Sequence, residues 1–184
     1  MHPDDHFEPL ITERLYLRRS RPEDAEAISG YRSDPDVHRY QGWERTDPDG
    51  VRTEIREMGG RSPGSPGGWV QLSVEERDGN TLVGDVGLSP AEDEPGVIKV
   101  GYTVAPAFQG RGYATEAIGA LVTYAFGALD AEVVRAYASA ENVPSLRVAE
   151  KVGMSLIERI EHRHGDEVWH GVRYELRRDE ASGA

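Results

Sequence analysis

The stretch Gln109-Gly110-Arg111-Gly112-Tyr113-Ala114 joins a strand-like segment, Val97 to Val104, to a segment with helical spacing. Its two glycines let the backbone approach an anion closely, and the start of a helix offers unpaired N–H groups at the positive end of the helix dipole. Arg111 adds a positive charge. The stretch therefore predicts a pyrophosphate-binding turn, although an ordinary strand-to-helix connection shows the same pattern.

The length and composition favour one globular unit. A chain of 184 residues suits a single domain, which we expect to span residues 1–184 with a core over about 10–178. Hydrophobic residues make up 38%, with no apolar run near the roughly 20 residues of a membrane span. The start, Met1-His2-Pro3-Asp4-Asp5, lacks the basic and apolar regions of a secretory signal. We therefore expect a cytoplasmic protein without a membrane partner.

Charge and cysteine content exclude several classes of function. The chain has no cysteine, which excludes disulfides, thiolate metal sites and cysteinyl intermediates. Acidic residues outnumber basic ones 33 to 21, and the net charge of −12 argues against a general nucleic-acid binder. The excess of carboxylates suits a cationic acceptor, but a solubilising surface is the more common reason for it.

Hydrophobic periodicity and turn residues predict an α+β domain. Strands are expected at Leu15–Arg18, Trp69–Val74, Thr81–Leu88, Val97–Val104, Val133–Ser139 and Val168–Leu176. Helices are expected after Pro22 and Pro48, from Tyr113 to Gly127, and from Pro144 to Val152. Residues 61–68, which contain two prolines and three glycines, form a loop. This order predicts a mixed sheet with helices on both faces.

Three signatures in sequence order resemble the GNAT acetyltransferase superfamily, in particular its RimJ/RimL-like N-acetyltransferase branch. They are Leu10 to Arg18 followed by Pro22-Glu23-Asp24-Ala25, the glycine stretch at Gln109 to Ala114, and Asn142-Val143-Pro144-Ser145 followed by Arg147, Lys151, Gly153 and Met154. The resemblance covers nearly the whole chain. It implies a GNAT-like fold, with a central, twisted, mostly antiparallel mixed sheet, and acetyl-CoA as the acetyl donor without a metal.

The resemblance also implies which residues hold the donor. Those expected to bind acetyl-CoA are Thr103, Val104, Ala105, Gln109, Gly110, Arg111, Gly112, Tyr113, Ala114, Thr115, Asn142, Ser145, Arg147 and Lys151. The pyrophosphate would lie on the glycine turn, and the pantetheine arm would lie where the strands Val97–Val104 and Val133–Ser139 separate. Asn142 would close this gap, or it would simply cap the helix that follows it.

Acetyl transfer to an amine requires proton transfers and charge stabilisation. A lysine ammonium has a pKa of about 10.4 and an α-amino group about 8, so a base must accept a proton. The backbone N–H groups near Val104 and Ala105 are candidates to stabilise the oxyanion. The tyrosine that many GNAT enzymes are thought to use as an acid is replaced here by Ala149. By resemblance to the RimL-type branch, Ser145 is the candidate acid and Glu161, four residues before Gly165, is the candidate base.

Alternatives remain for both catalytic residues. Ser145 is alternatively a residue of the first helix turn without a catalytic role, and Glu161 is alternatively a solvated surface residue. Relatives often carry glutamate where this chain has Lys99, which excludes a base at that position. His162, His164 and His170 are reserve bases, and no metal-ligand spacing accompanies them.

The leading hypothesis is direct acetyl transfer from acetyl-CoA to a primary amine, which is either a protein N-terminus or a small molecule. The segments 37–43 and 61–68 would shape the acceptor cleft, with Tyr40 and Trp43 lining it or packing in the core. The chain would act as a monomer or a homodimer. The competing hypothesis is a non-catalytic acyl-CoA-binding module that regulates a partner, and a P-loop or dinucleotide site is excluded by the surrounding motifs.

Overall fold

The structure, a computed structural model, describes residues 7–44, 46–66, 68–164 and 167–181, without the side chains of residues 162–164, 167 and 169. One eight-stranded sheet organises this part of the chain, in the order β1-β2-β3-β4-β5-β6-β8-β7. The strands are β1 (Leu10–Ile11), β2 (Leu15–Arg19), β3 (Val70–Glu76), β4 (Leu82–Pro90), β5 (Val97–Val104), β6 (Val133–Ser139), β7 (Ser155–His164) and β8 (Glu167–Arg177).

Six α-helices accompany the sheet in the described ranges. They are α1 (Ala25–Arg32), α2 (Pro35–His38), α3 (Pro48–Met58), α4 (Tyr113–Gly127), α5 (Val143–Lys151) and α6 (Arg178–Ala181). Asp34 and Asp47 cap α2 and α3, because each carboxylate accepts a backbone N–H bond in the first turn and a proline follows it. None of the helices in these ranges has the length and apolar character needed to cross a bilayer.

The sheet opens at one point between two parallel strands. All neighbouring strands pair in antiparallel fashion except β5 and β6, which pair only from Val97 with Val133 to Val100 with Ala136. Both strands continue beyond this pairing, β5 to Val104 and β6 to Ser139. A wedge-shaped gap therefore separates their ends, as the family resemblance implied.

Helices cover both faces of the sheet. The larger core lies under α4, where Ile118 and Leu121 pack with strand residues such as Val86. A second cluster joins Ile28 of α1 to Val51 of α3. The sheet lies between these two helix layers, and adjacent residues of each strand point to opposite faces. The mixed α+β fold with helices on both faces is confirmed.

The sequence did not predict β7. This strand pairs with β8 along nearly its whole length, but its register shifts between Leu156 and Glu158. Because the shift is a bulge, the alternation of apolar and polar residues is interrupted, and Leu156 and Ile157 are exposed. The expected connection before the last strand is in fact an edge strand, which carries Glu161.

Candidate active site

A cleft of about 450 Å³ brings most of the predicted donor-binding residues together. It lies at the open end of the gap between β5 and β6, between the start of α4 and the outer face of α5. The predicted residues that line it are Thr103, Val104, Gln109, Gly110, Gly112, Tyr113, Ala114, Thr115, Asn142, Ser145, Arg147 and Lys151. Ala105 and Arg111 are absent from this lining among the described residues.

The glycine turn has a backbone conformation that only glycine adopts without strain. Gly110 and Gly112 have φ values of 75° and 82°, in the left-handed region. A Cβ added to Gly110 would meet no atom within 4 Å, so the space over this residue is open to the cleft. The turn therefore exposes its backbone where the sequence predicted an anion to approach.

The first turn of α4 supplies unpaired donors to the same cleft. Gly112 is the N-cap residue and provides no side chain to cap the helix, and the first helical bond runs from the Glu116 N–H to the Gly112 carbonyl, at 3.1 Å. The N–H groups of Tyr113, Ala114 and Thr115 consequently have no intrahelical acceptor. Together with the dipole of a 15-residue helix, they favour a negatively charged ligand.

The cations of the cleft differ in part from those expected. Arg111 turns back over the preceding segment, where its Nη2 donates to the Ala107 carbonyl at 3.0 Å and its guanidinium covers the ring of Phe108. Arg147 and Lys151, four residues apart on one face of α5, line the cleft instead. In this conformation positive charge comes from α5 rather than from the turn.

Residues of the loop between β1 and β2 stabilise the glycine turn through side-chain contacts. The carboxylate of Glu116, in the first turn of α4, accepts bonds from Thr12 Oγ1 at 2.6 Å and Arg14 Nε at 2.7 Å. Arg14 also donates from Nη1 to the Arg111 carbonyl at 3.0 Å and lies over the ring of Tyr113. Burial alone would raise the pKa of Glu116, but the bonds from Thr12 and Arg14 outweigh it and lower the pKa.

Two glutamine side chains bind the free edge of β5. Gln109 Nε2 donates to the Val104 carbonyl at 3.0 Å, and Gln41 Nε2 donates to the Tyr102 carbonyl at 3.3 Å. Because the N–H and C=O of one strand residue point to the same edge, the Val104 N–H also faces the gap. The Ala105 N–H donates to the Val83 carbonyl at 2.8 Å, which corrects the expectation of a free oxyanion donor at Ala105.

Asn142 and Ser145 lie together at the start of α5. Asn142 is the N-cap residue, and its Oδ1 accepts a bond from the Ser145 N–H at 3.3 Å, so the capping interpretation is correct. The side chain lines the cleft as well, so its amide NH₂ is the part that remains for a ligand. The half-buried Ser145 lies beside Tyr102. Burial raises the pKa of Tyr102, and the hydrogen bond with Ser145 offsets this increase only in part.

Sequence reasoning did not single out Tyr102 or Gln41 as site residues, although both line the cleft and Gln41 lies within the predicted segment 37–43. Tyr102 follows the alternation of Ile98 and Val100 and therefore looks like a core residue. Gln41 lies between α2 and α3 and belongs to no sequence motif. The only signal available was its place near Tyr40, which the sequence did assign to the cleft.

The predicted base lies apart from these groups. Glu161 is exposed on β7, where it is paired with His170 of β8, and it is absent from the described lining of the cleft. Its role as a base stays a prediction. Gly165, from which its register was counted, and the side chains of the reserve bases His162 and His164 lie outside the described part of the chain.

One of the two segments that were expected to shape the acceptor cleft lines the cleft described above. Asp36, Val37, Tyr40 and Gln41 line the cleft, and Asp36 is the one carboxylate among its described lining residues. Trp43 packs instead under the guanidinium of Arg32, at 5.0 Å.

The loop 61–68 was wrongly expected at this cleft. None of its described residues lines the cleft. Gly64 packs against Leu129, just past the C-terminal end of α4, because the loop descends from α3 to the end of the molecule opposite the glycine turn.

Known proteins are similar to this chain in sequence and in fold. A family model described as an acetyltransferase (GNAT) domain matches residues 14–155. The chain is 32% identical over 143 residues to an uncharacterized N-acetyltransferase, p20, of Bacillus licheniformis. The aligned region covers 77% of this chain and 79% of that protein.

Solved structures agree with this result. A GNAT-family acetyltransferase from Bacillus anthracis superposes with a TM-score of 0.81 and 27% identity, over 94% of this chain and 99% of that one. RimL, a ribosomal L7/L12 alpha-N-protein acetyltransferase in complex with coenzyme A, gives a TM-score of 0.79 at 16% identity, over 94% and 99% of the two chains. At that identity the likeness to RimL concerns the fold alone.

Proposed function

Because the chain belongs to the GNAT acetyltransferase family, we propose that it transfers an acetyl group from acetyl-CoA directly to a primary amine. The observation that carries the proposal is the continuity of one cleft from the glycine turn to the gap between β5 and β6. An extended donor with a diphosphate at one end and a thioester at the other matches such a cleft. The acceptor is a protein N-terminus or a small-molecule amine.

The donor is held by charge and by backbone groups. The N–H groups of residues 113–115 and the cations Arg147 and Lys151 bind the pyrophosphate. The pantetheine arm lies along the free edge of β5, whose Val104 N–H points into the gap. Asn142 closes the gap from α5 through its amide NH₂.

The transfer needs a developing oxyanion to be stabilised and two protons to move. The amine nitrogen attacks the thioester carbonyl carbon, a C–N bond forms, and the C–S bond breaks. The Val104 N–H stabilises the charge that develops on the carbonyl oxygen, and such a donor contributes several kcal/mol. Ser145, with Tyr102 beside it, delivers a proton toward the departing sulfur, and Glu161 accepts the proton of the amine, directly or through water.

A CoA-release assay tests this function directly. We expect turnover with at least one class among N-terminal peptides, polyamines and aminoglycosides, at pH 7 to 9. Tight acetyl-CoA binding without turnover on any primary amine would favour the acyl-CoA-binding module instead. Either outcome separates the two hypotheses.

Variants of the two candidate catalytic residues test the assignment. Ser145→Ala should lower kcat by about 100-fold, the lower range for general acid–base groups, with little change in CoA affinity. The exposed Ser155 at the start of β7 offers a matched control, Ser155→Ala, which should leave kcat unchanged. Glu161→Gln should lower kcat and remove the acidic limb of the pH profile, and an unchanged profile would place the base elsewhere.

A further inference from the structure

A second, smaller cavity lies beneath the gap, on the α4 side of the sheet. Its volume is about 90 Å³, and its deep wall consists of Val100, Ile118, Ala136, Ala138, Ala149 and Met154. Its mouth shares Tyr102, Asn142, Ser145 and Val148 with the larger cleft, so the two spaces meet where the thioester is expected.

The deep wall is apolar and closed to solvent. Val100, Ile118 and Met154 are each no more than 4% exposed. Tyr174 also lines the cavity, but its hydroxyl donates to Glu150 Oε1 at 3.3 Å, so this polar group is already engaged by a carboxylate on α5. Polar residues such as Gln41, Tyr137 and Ser139 line the other side of the cavity, so the apolar surface is confined to its deep end. An apolar wall of this kind favours an alkyl group over water.

Small side chains create the space. Ala136 and Ala138 alternate along β6 and present their methyl groups to the same face of the sheet. Ala149 faces them from α5 and is 9% exposed. A larger residue at any of these three positions would fill the cavity, so its existence is a property of this sequence rather than of the fold.

We propose that this cavity receives the acyl chain of the donor, and that the protein transfers propionyl and butyryl groups as well as acetyl. The inference rests on the proposed function. For comparison, an engineered apolar cavity of about 150 Å³ in another protein binds benzene, which has six carbons. The cavity therefore holds about three carbons beyond the carbonyl carbon, which is the length of a butyryl group.

The chemistry of the transfer is unchanged by chain length. The bond between the amine nitrogen and the acyl carbon forms, the thioester C–S bond breaks, the amine loses a proton and the thiol is regenerated. Only the position of the alkyl tail differs, because the carbonyl group stays at the mouth between Val104 and Ser145 and the tail extends toward Met154.

The first experiment compares acetyl-, propionyl-, butyryl- and hexanoyl-CoA. Binding is measured by calorimetry with non-hydrolysable ketone analogues, and turnover is measured by CoA release with one amine. Each methylene transferred into an apolar site is expected to tighten binding up to about fourfold. We expect affinity to rise from acetyl to butyryl and to fall at least tenfold at hexanoyl, since five carbons exceed the cavity.

Two filled-cavity variants give the matched test. Ala149→Leu and Ala138→Val each narrow the cavity from a different element, and each should retain the acetyl analogue while weakening the butyryl analogue at least tenfold. Ala128→Leu, at the exposed residue that ends α4, is the control and should leave the chain-length profile unchanged. Leu146→Ala, which enlarges the wall of the cavity, should move the optimum toward longer chains.

The outcomes separate this inference from the proposed function. Turnover of acetyl-CoA combined with weaker binding of both propionyl and butyryl analogues would overturn the inference and leave the function in place. Equal losses for all four analogues in Ala149→Leu and Ala138→Val would also overturn it. The expected binding profile without acylation of any amine would support the cavity while refuting the proposed catalysis.

Discussion

The guanidinium of Arg14 donates a hydrogen bond of 3.0 Å from Nη1 to the backbone carbonyl of Arg111, a residue 97 positions later in the chain. The same side chain forms an ion pair with Glu116 at 2.6 Å and covers the ring of Tyr113 at 4.7 Å. The loop before β2 thus orients the glycine turn at the start of α4. A turn that is already ordered loses less conformational entropy when it binds an anion.

Replacement of this guanidinium is therefore expected to weaken donor binding. Arg14→Ala should raise the Kd for CoA about tenfold, because the loss of a hydrogen bond from a charged group costs about 1.5 kcal/mol. Isothermal titration calorimetry measures the effect. Arg52→Ala is the control. It removes an arginine of α3 that is paired with Asp49 of the same helix and with Glu26 of α1, and it should bind CoA normally. Equal affinities for both variants would contradict the positioning role.

Two glycine-to-alanine substitutions should affect different properties, the CoA affinity in one case and the folding stability in the other. Gly110→Ala meets no steric obstacle, but it forces alanine into a left-handed conformation at a cost of about 1–2 kcal/mol, so CoA affinity should fall about tenfold. Gly119→Ala lies within α4 and also meets no atom within 4 Å. It should raise the free energy of unfolding by about 0.5–1 kcal/mol and leave CoA binding intact.

Calorimetry measures the CoA affinity of the two glycine variants, and urea unfolding measures their free energy of unfolding. Wild-type CoA affinity for Gly110→Ala would show that the left-handed turn is not needed for donor binding.

The cations of α5 should account for the salt dependence of donor binding. Replacing both Arg147 and Lys151 with alanine should weaken CoA binding about fivefold at low ionic strength, since an exposed ion pair contributes up to about 1 kcal/mol. The difference from wild type should shrink as salt screens the charges. Arg52 and Arg56 of α3, also four residues apart, provide a double-alanine control. A constant difference from low to high salt would argue against a phosphate contact.

A half-buried carboxylate just before the first helix should make the stability of the protein depend on pH in the acid range. Asp24 accepts two bonds from Arg18, at 2.8 and 2.9 Å, and one from the Arg21 N–H at 2.7 Å. Burial alone would raise the pKa of Asp24, but these hydrogen bonds outweigh it and lower the pKa. The resulting stabilisation is complete above the unfolded-state pKa of about 3.9, and it is lost as pH falls through the lower folded-state pKa.

The variant Asp24→Asn tests this linkage. It should lower the free energy of unfolding at pH 7 by about 2 kcal/mol and flatten its pH dependence below pH 4. Urea unfolding between pH 2 and pH 7 measures both effects. Asp93→Asn, in the exposed turn before β5, serves as the comparison and should behave as wild type. A variant that keeps the wild-type slope below pH 4 would exclude Asp24 as its source.

Local signals in the sequence predicted most elements of the fold. Asp47 followed by Pro48 marked the start of α3, and the alternation in Val97–Val104 marked β5. The edge strand β7 was missed because a bulge between Leu156 and Glu158 interrupts its alternation. The loop 61–68 was assigned to the wrong end of the molecule, since its contact with Leu129 depends on the path of the whole chain.

For the candidate site, the residues of the glycine turn could be identified from sequence because their requirements are local. Gly110 and Gly112 are needed for positive φ, and the donors that follow belong to the first turn of a helix wherever that helix begins. The same reasoning gave helix capping as one of two alternative roles for Asn142, and the structure shows Asn142 in that role.

The tertiary structure alone decided the remaining features of the site. The gap opens because the pairing of β5 with β6 stops after Val100 and Ala136, and Arg14 reaches the turn only because β2 and α4 pack together. The small cavity exists because Ala138 and Ala149, on different elements, face one another. These are contacts between residues distant in the chain, so they depend on strand register and helix packing, which no local pattern encodes.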